Sequence, residues 1–346
     1  KVLNMSIVQN TPQENSNFKA LSLDTLLKQS YTVEYLIDSI LPKNESLLIV
    51  GKCGCGKSTL VMQIAVELCD PLQNLFLGLL PISPSPQPRK VLIIQAENHG
   101  GGLSKHFTEM LQGRSMASCQ SILTGIYFMS NQLTGRASGD LMAPAFYAEV
   151  ERLLAAGHYD VVILDPLASF HSSEEFNNEQ MRRVLDRLQA LTENYHATLI
   201  VVHHDGKNPA NSTGGRGASS IGDWAANVWQ IRNNKGKFEL ENLKARNSAR
   251  YPSVIKLELK NSIFTASSAT SNSLHADLAY VVNALKNLNG QANSTSDLVN
   301  ETSRLLRNDG KASSPSIARP LIDKAVNSGL VTEIHPGGNK ITFKLI

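Results

Sequence analysis

The stretch Gly51-Lys52-Cys53-Gly54-Cys55-Gly56-Lys57-Ser58 has the residue types and spacing of a phosphate-binding loop, GxxxxGK[ST]. It follows the apolar run 47–50 and leads into a helical pattern that starts at Thr59. Glycines let such a loop wrap closely around phosphate, with backbone N–H groups and the helix N-terminus directed at the anion. In this pattern Lys57 reaches the terminal phosphates and Ser58 holds Mg²⁺. The loop and Thr59 therefore predict a site for ATP and its magnesium ion.

Two carboxylates stand where predicted strands end. Asp165 closes the apolar run 161–164, and we expect it to hold Mg²⁺ beside the loop serine. Glu97 follows the run 91–95 and could take the proton from an attacking water molecule. Asp160 is the rival for this role, but it precedes its strand and would lie at the wrong edge. Ligands of open parallel sheets bind at the carboxyl ends of the strands, which favours Glu97 as the general base.

A third predicted strand end carries two histidines, His203 and His204, after the apolar run 199–202. A polar side chain at this place can contact the γ-phosphate and respond to its loss. Adjacent residues of a strand point to opposite faces, so the pair is unsuited to binding one zinc ion. We take His204 as the candidate sensor, although the pattern leaves open which histidine faces the nucleotide and which is a buried core residue.

Basic residues occur in two further segments. Residues 205–217 are rich in Gly, Asn, Ser and Lys, and Lys207 and Arg216 could contact a phosphodiester backbone there. A solvated loop explains the same composition equally well. Lys244 and Arg246 are two residues apart on an extended segment, so they project to the same side. They could form a finger that enters a neighbouring subunit's site, and the alternative is an ordinary solvated basic pair.

An alternation of strands and helices must bring these residues together. From residue 32 to about residue 262 the sequence alternates between strand and helix patterns, which predicts an α/β domain with a mostly parallel sheet. Three of the runs are almost continuously apolar, as in strands that helices cover on both faces. The predicted strands are residues 46–50, 90–95, 161–164, 198–202, 227–231 and 254–259.

The predicted organisation has four parts: an N-terminal arm at 1–31, the phosphate-loop ATPase domain at 32–263, a polar linker at 264–274 and a C-terminal domain at 275–346. The linker is predicted from a low-complexity run of Ala, Ser, Thr and Asn. The last part shows three helical patterns and two short strands, which is the order of a winged helix-turn-helix. Its third helix would place Arg319 and Lys324 on duplex DNA, with Lys340 beside the turn of the hairpin.

Charge does not decide what the C-terminal domain binds. From residue 274 onward there are 8 Lys or Arg against 6 Asp or Glu, a net charge of +2. A dedicated DNA reader usually has a stronger basic face, so docking to a protein or packing within a ring remains the alternative.

Composition limits the other classes of protein. The chain has 346 residues, of which 42% are hydrophobic, and its net charge is +3. It shows no apolar run long enough to cross a membrane and no secretory signal pattern, so we expect a cytoplasmic protein without a membrane partner. The 4 cysteines show no CxxC spacing, which predicts reduced thiols and argues against a zinc site.

In their order along the chain these motifs resemble the RecA-like hexameric helicases, most closely the plasmid RepA-type and DnaB-type replicative ATPases. The resemblance spans about residues 32–262. It is carried by the phosphate loop and by Gln95-Ala96-Glu97, Leu164-Asp165-Pro166-Leu167-Ala168-Ser169-Phe170-His171, Val202-His203-His204-Asp205-Gly206-Lys207, and Arg216-Gly217-Ala218-Ser219-Ser220 with Lys244-Ala245-Arg246-Asn247 after it.

The resemblance implies a hexameric ring of RecA-fold domains, with ATP at the subunit interfaces and single-stranded DNA in the central channel. By position, Glu97 is similar to the catalytic base and Asp165 to the Walker B acid of these proteins. His204 resembles the sensor at a strand end. Lys244 and Arg246 resemble the finger pair that acts on a neighbouring subunit, which can accelerate hydrolysis about 10³–10⁵-fold.

The sequence therefore predicts an oligomeric ATPase acting on single-stranded DNA, as a replicative or mobile-element DNA helicase. The C-terminal domain is not part of a minimal RepA-type helicase, which leaves unwinding itself open. The alternative function is an ATP-controlled, DNA-bound assembly switch that does not translocate, with the winged helix selecting a site. A small-molecule kinase fits poorly, because no lid with clustered arginines follows the phosphate loop.

Overall fold

The computed structural model describes residues 20–28, 33–38, 40–130, 133, 139–204, 219–247, 254–327, 330–337 and 340–345. The chain divides into two units, residues 1–33 and residues 34–346. The described part of the first unit contains the short helix α1 (Leu23–Lys28), whose leucines are exposed. Across the described ranges, every helix is too short or too polar to span a bilayer.

Within the described ranges, the second unit contains sixteen strands and nine α-helices. The strands are β1 (Tyr35–Ile37), β2 (Leu41–Pro42), β3 (Ser46–Gly51), β4 (Leu75–Phe76), β5 (Leu80–Pro81), β6 (Val91–Gln95), β7 (Ile126–Ser130), β8 (Val161–Asp165), β9 (Thr198–His204), β10 (Asn227–Asn234), β11 (Lys237–Ala245), β12 (Val254–Lys260), β13 (Ile263–Ala266), β14 (Gln291–Ala292), β15 (Val331–Gly337) and β16 (Lys340–Leu345). The helices are α2 (Lys57–Cys69), α3 (Gly100–Leu111), α4 (Met116–Gly125), α5 (Pro144–Gly157), α6 (Asn178–Tyr195), α7 (Ser219–Trp224), α8 (Ser268–Asn287), α9 (Thr295–Asn308) and α10 (Pro315–Asn327).

The main sheet has nine strands in the order β13-β12-β11-β10-β3-β9-β8-β6-β7. From β10 to β7 all neighbours are parallel, whereas β10 to β13 form an antiparallel extension. Alternate residues of β3 enter different cores: Leu47 and Ile49 pack with α2 on one face, and Leu48 and Val50 pack with α6 on the other. Helices thus cover both faces, and the predicted α/β domain with a mostly parallel sheet is confirmed.

The predicted linker at 264–274 is wrong. Residues 263–266 are β13, the outermost strand of the antiparallel extension, and α8 begins at Ser268. Phe264 is fully buried there, and the hydroxyl of Thr270 accepts a hydrogen bond from the backbone N–H of Lys256 on β12. Tertiary contacts with the sheet order a segment whose polar composition alone predicts a linker.

The C-terminal part has a core of its own. Helices α8, α9 and α10 pack together with a three-stranded antiparallel sheet in the order β14-β16-β15. Leu285, Leu298, Leu321 and Phe343 are among its fully buried side chains. Three helices and a hairpin are present in the predicted order, but α8 begins inside the segment predicted as a linker, and β14 is an additional strand that the sequence analysis did not predict.

Candidate nucleotide site

The phosphate loop joins the end of β3 to the start of α2 and lies close to neighbouring strands. Gly54 and Gly56 have positive φ angles of 73° and 97°, which favour glycine. A β-carbon on Gly51 would lie 2.5 Å from the carbonyl oxygen of Ile231. A β-carbon on Gly56 would lie 2.7 Å from the Phe264 ring. Glycine is therefore required by close packing as well as by backbone conformation.

Lys57 is only 6% exposed and its ammonium group is held within the loop. Its Nζ donates to the carbonyl oxygens of Gly51 and Lys52 at 2.8 and 2.9 Å. The same atom lies 3.4 Å from Nδ1 of His204. A positive charge fixed beside a helix N-terminus and the open backbone of the loop is suited to binding phosphate.

Asp165 and Ser58 meet beside Lys57. The carboxyl group of Asp165 is 5% exposed and hydrogen-bonded to the Ser58 hydroxyl. Burial raises the pKa of Asp165 to about 6, and the negative charge of nearby Glu97 raises this pKa further. The hydrogen bond from Ser58 and the positive charge of Lys57 act in the opposite direction and lower the pKa. A hydroxyl and a carboxylate are hard oxygen ligands that suit Mg²⁺, which usually takes few protein ligands and completes its shell with phosphate and water.

The structure also brings Glu97 and His204 to this edge. In the sheet order the carboxyl ends of β3, β9, β8 and β6 are neighbours, and Glu97 lies two residues after β6. Its Oε1 is 3.9 Å from Nε2 of His204, and the glutamate side chain is exposed. His204 stands opposite Gly51 in the β3–β9 register. His203 is fully buried opposite Val50, so His204 is the histidine placed at the site.

Lys244 and Arg246 lie at the amino edge of the sheet, where the parallel strands β10 and β3 begin. Ala245 pairs with Asn227 at the start of β10, and Asn227 pairs with Leu47 near the start of β3. The Lys244 Nζ donates to the carbonyl oxygens of Gly222 and Asp223 on its own chain. Within one chain, these two cations are thus kept apart from the phosphate loop.

The predicted DNA contacts have different outcomes. Lys207 and Arg216 lie outside the described residues, as does the side chain of Lys340. Arg319 is exposed on α10. Lys324 is 5% exposed, and burial lowers its pKa to about 8, opposed by the charge of Asp38 near β1. Its prediction as an exposed DNA contact is wrong, because helical spacing places Lys324 at the border of the buried face of α10.

Sequence analysis missed a pair of residues that supports the loop. The carboxamide of Gln63 on α2 donates to the carbonyl oxygen of Phe264 and accepts from its N–H, at 2.8 and 2.7 Å. This double hydrogen bond fixes β13 beside α2, with the Phe264 ring against Gly56. The available signal was a single glutamine in an otherwise apolar stretch of helix, since a buried amide needs partners.

A comparison with known protein families identifies the domain that contains this site. The sequence model of a family described as "AAA domain" matches residues 12–210, more than half of the 346 residues. The match includes the phosphate loop, Glu97, Asp165 and His204, and it ends before Lys244 and Arg246. Such a domain implies nucleotide binding. The chain therefore belongs to the AAA domain family and carries an AAA-type ATPase domain.

Proposed function

We propose that the protein is an ATP hydrolase that assembles from identical subunits and acts on single-stranded DNA, as a replicative or mobile-element helicase. The observation that carries this proposal is the division of the candidate residues between two edges of one sheet. The phosphate loop, Asp165, Glu97 and His204 share the carboxyl edge, whereas Arg246 lies at the amino edge.

Each residue at the carboxyl edge has a chemical role in the proposal. The loop and Lys57 hold the phosphates, while Ser58 and Asp165 hold Mg²⁺, which neutralises charge on the bound phosphates. Glu97 accepts the proton of the attacking water, and its exposure leaves room for that water. His204, between Lys57 and Glu97, is positioned to respond when the γ-phosphate leaves.

Arg246 supports a shared site because its own phosphate loop is out of reach. Gly51 lies four residues after Leu47 on β3, which amounts to about 13 Å of strand. This exceeds the length of an arginine side chain, and the start of α2 lies beyond it. An exposed arginine at the amino edge of one subunit can serve the carboxyl edge of the next, so hydrolysis would require head-to-tail assembly, which closes into a ring when the rotation permits.

We further propose that the C-terminal part is a winged helix-turn-helix domain. The order of α8, α9, α10 and the β15–β16 hairpin supports this proposal, as does its separate core. On α10, Arg319 is the exposed cation available for DNA, but Asp323 shares the exposed side. The mixed charge suits weak binding of duplex DNA or docking of a protein.

ATP turnover with and without single-stranded DNA, measured over a range of protein concentrations, tests the main proposal. We expect specific activity to rise with assembly and to be strongly stimulated by DNA. Slow turnover that DNA does not change would contradict a translocase. The separate C-terminal core would then favour the alternative, an ATP-controlled switch that assembles on DNA without moving along it.

A further inference from the structure

Lys244 and Arg246 at the end of β11 have different surroundings. The Lys244 side chain is half-buried, and its Nζ donates to the carbonyl oxygens of Gly222 and Asp223 at 2.9 and 2.8 Å. Arg246 is exposed, and its Nη2 is 3.4 Å from the Asp223 carbonyl oxygen. The lysine side chain thus makes two short hydrogen bonds to its own chain, whereas the arginine side chain makes one long contact with the residues that the structure describes.

Both carbonyl groups that bind Lys244 belong to the last turn of α7. The final carbonyls of a helix lack partners within the helix, and a cation there satisfies them and interacts favourably with the helix dipole. The other end of α7 is also fixed, since the backbone N–H of Ser220 donates to the Asn178 carboxamide at 3.3 Å. Ile221 and Trp224 on α7 are buried against the α6 side of the sheet.

The position of α7 in the chain shows which elements this contact connects. The helix begins directly after residues 205–218, which follow His204 and β9, and two residues separate its end from the start of β10 at the amino edge. Lys244 joins the end of this helix to β11, and Arg246 directly follows that strand. Consequently α7 follows the strand that ends in the proposed sensor His204, and its own carboxyl end is bound beside the arginine proposed to serve the next subunit.

We propose that Lys244 is a positioning residue, whose ammonium group holds the carboxyl end of α7 against β11 and thereby fixes the position of Arg246. In this role Lys244 does not itself contact the nucleotide of a neighbouring subunit. This inference rests on the proposed function, in which Arg246 acts in trans. Lys244 could reach a neighbour's phosphate only by leaving two hydrogen bonds to helix-end carbonyls. Arg246 would leave one long side-chain contact among the described residues.

The first test needs neither nucleotide nor assembly. The sequence has 2 tryptophans, and Trp229→Phe leaves Trp224 on α7 as the fluorescent reporter. In this background we expect Lys244→Met to shift Trp224 emission to longer wavelength and to increase acrylamide quenching about twofold, because α7 loosens from β11. Lys244→Arg should restore the emission, and Arg246→Ala is the matched control that should leave it unchanged. If Lys244→Met has the same Trp224 emission as the Trp229→Phe parent, the proposal is overturned. If Trp229→Phe fails to fold, the same comparison is made with both tryptophans present.

The second test separates positioning from direct contact through kcat. We expect Arg246→Ala to lower kcat about 10³-fold or more. Lys244→Met should lower it by roughly 10²-fold, the scale of a small misplacement, with KM for ATP unchanged. If Lys244 acts through Arg246, the double variant should equal Arg246→Ala within about twofold. Multiplied losses would show an independent contact, and an unchanged kcat in Lys244→Met would show a purely structural cap; either result overturns the proposal. If Arg246→Ala keeps full activity, the proposed function fails, whereas the fluorescence result still reports the α7 contact.

Discussion

Two inactive variants should restore activity to each other if the ATP site is shared between subunits. Lys57→Ala removes the buried ammonium that the loop carbonyls hold, and with it the binding of the terminal phosphates. Arg246→Ala leaves the loop intact and removes the cation at the opposite edge of the sheet. About 13 Å of β3 separates these edges, so the two defects fall in different halves of a shared site.

The expected magnitude follows from counting interfaces. In an equal mixture of the two variants, half of the subunits have an intact loop and half have an intact arginine. With random assembly, about a quarter of the interfaces combine both, so roughly a quarter of wild-type turnover should return when sites act independently. Each variant alone should retain far less, since loss of an arginine finger costs about 10³–10⁵-fold.

The assay is phosphate release from complexes that contain both variants, co-expressed with different affinity tags and purified through both. The matched control pairs Lys57→Ala with Glu97→Gln. Both changes affect the same half of the site, so their mixture should remain inactive. Turnover no greater than the sum of the two parents, in complexes shown to contain both chains, would refute the reasoning that Arg246 acts in trans.

Three further changes test the site and its support. Glu97→Gln should keep affinity for a fluorescent ATP analogue and lose phosphate release, because the amide cannot accept the proton from water; equal loss of both would assign Glu97 to binding instead. Gly56→Ala should weaken ATP binding and lower Tm more than Gly54→Ala. Both substitutions cost about 1–2 kcal/mol because φ is positive at both positions, but only the β-carbon added at position 56 would clash with the Phe264 ring, at 2.7 Å. Equal effects would argue against that contact. Burial raises the pKa of Glu67 to about 7 from 4.5, so the folded state favours its protonated form. This contributes about 3 kcal/mol that is fully present below pH 4.5 and lost as the pH rises through about 7. Denaturant titrations from pH 4 to pH 8 should therefore show a flatter profile for Glu67→Gln than for the wild type, and parallel profiles would contradict this assignment.

The sequence predicted five of the six parallel strands of the main sheet, because these five are buried along almost all of the predicted length, whereas β7, the sixth, is only partly buried. β3, β8 and β9 are continuous apolar runs, and such runs keep their pattern whatever surrounds them. β7, β11 and β13 were missed. β11 and β13 belong to the antiparallel extension, where residues alternate between buried and exposed or are partly polar. Their strand character depends on pairing with neighbours, which no local pattern records.

The candidate site shows the same division. Spacing alone placed Lys57, Asp165 and Glu97 at one edge, because the carboxyl ends of parallel strands share it. It could not choose between His203 and His204, since strand register decides which residue faces Gly51. Nor could it show that Lys324 is buried, because helical spacing puts that residue at the boundary between two faces.

By itself, the sequence determined that this chain has a phosphate loop, a candidate magnesium ligand, a candidate base and a mostly parallel α/β domain, because glycine spacing and apolar runs are local properties. Only the tertiary structure decided that Phe264 and Gln63 support the loop, that a segment with a linker's composition is β13 and α8, and that Lys244 caps α7. These contacts join residues far apart in the chain, and their energy depends on burial and geometry that arise only when the sheet has formed. The separation of Arg246 from its own phosphate loop is of this kind too, because it follows from the order and direction of strands.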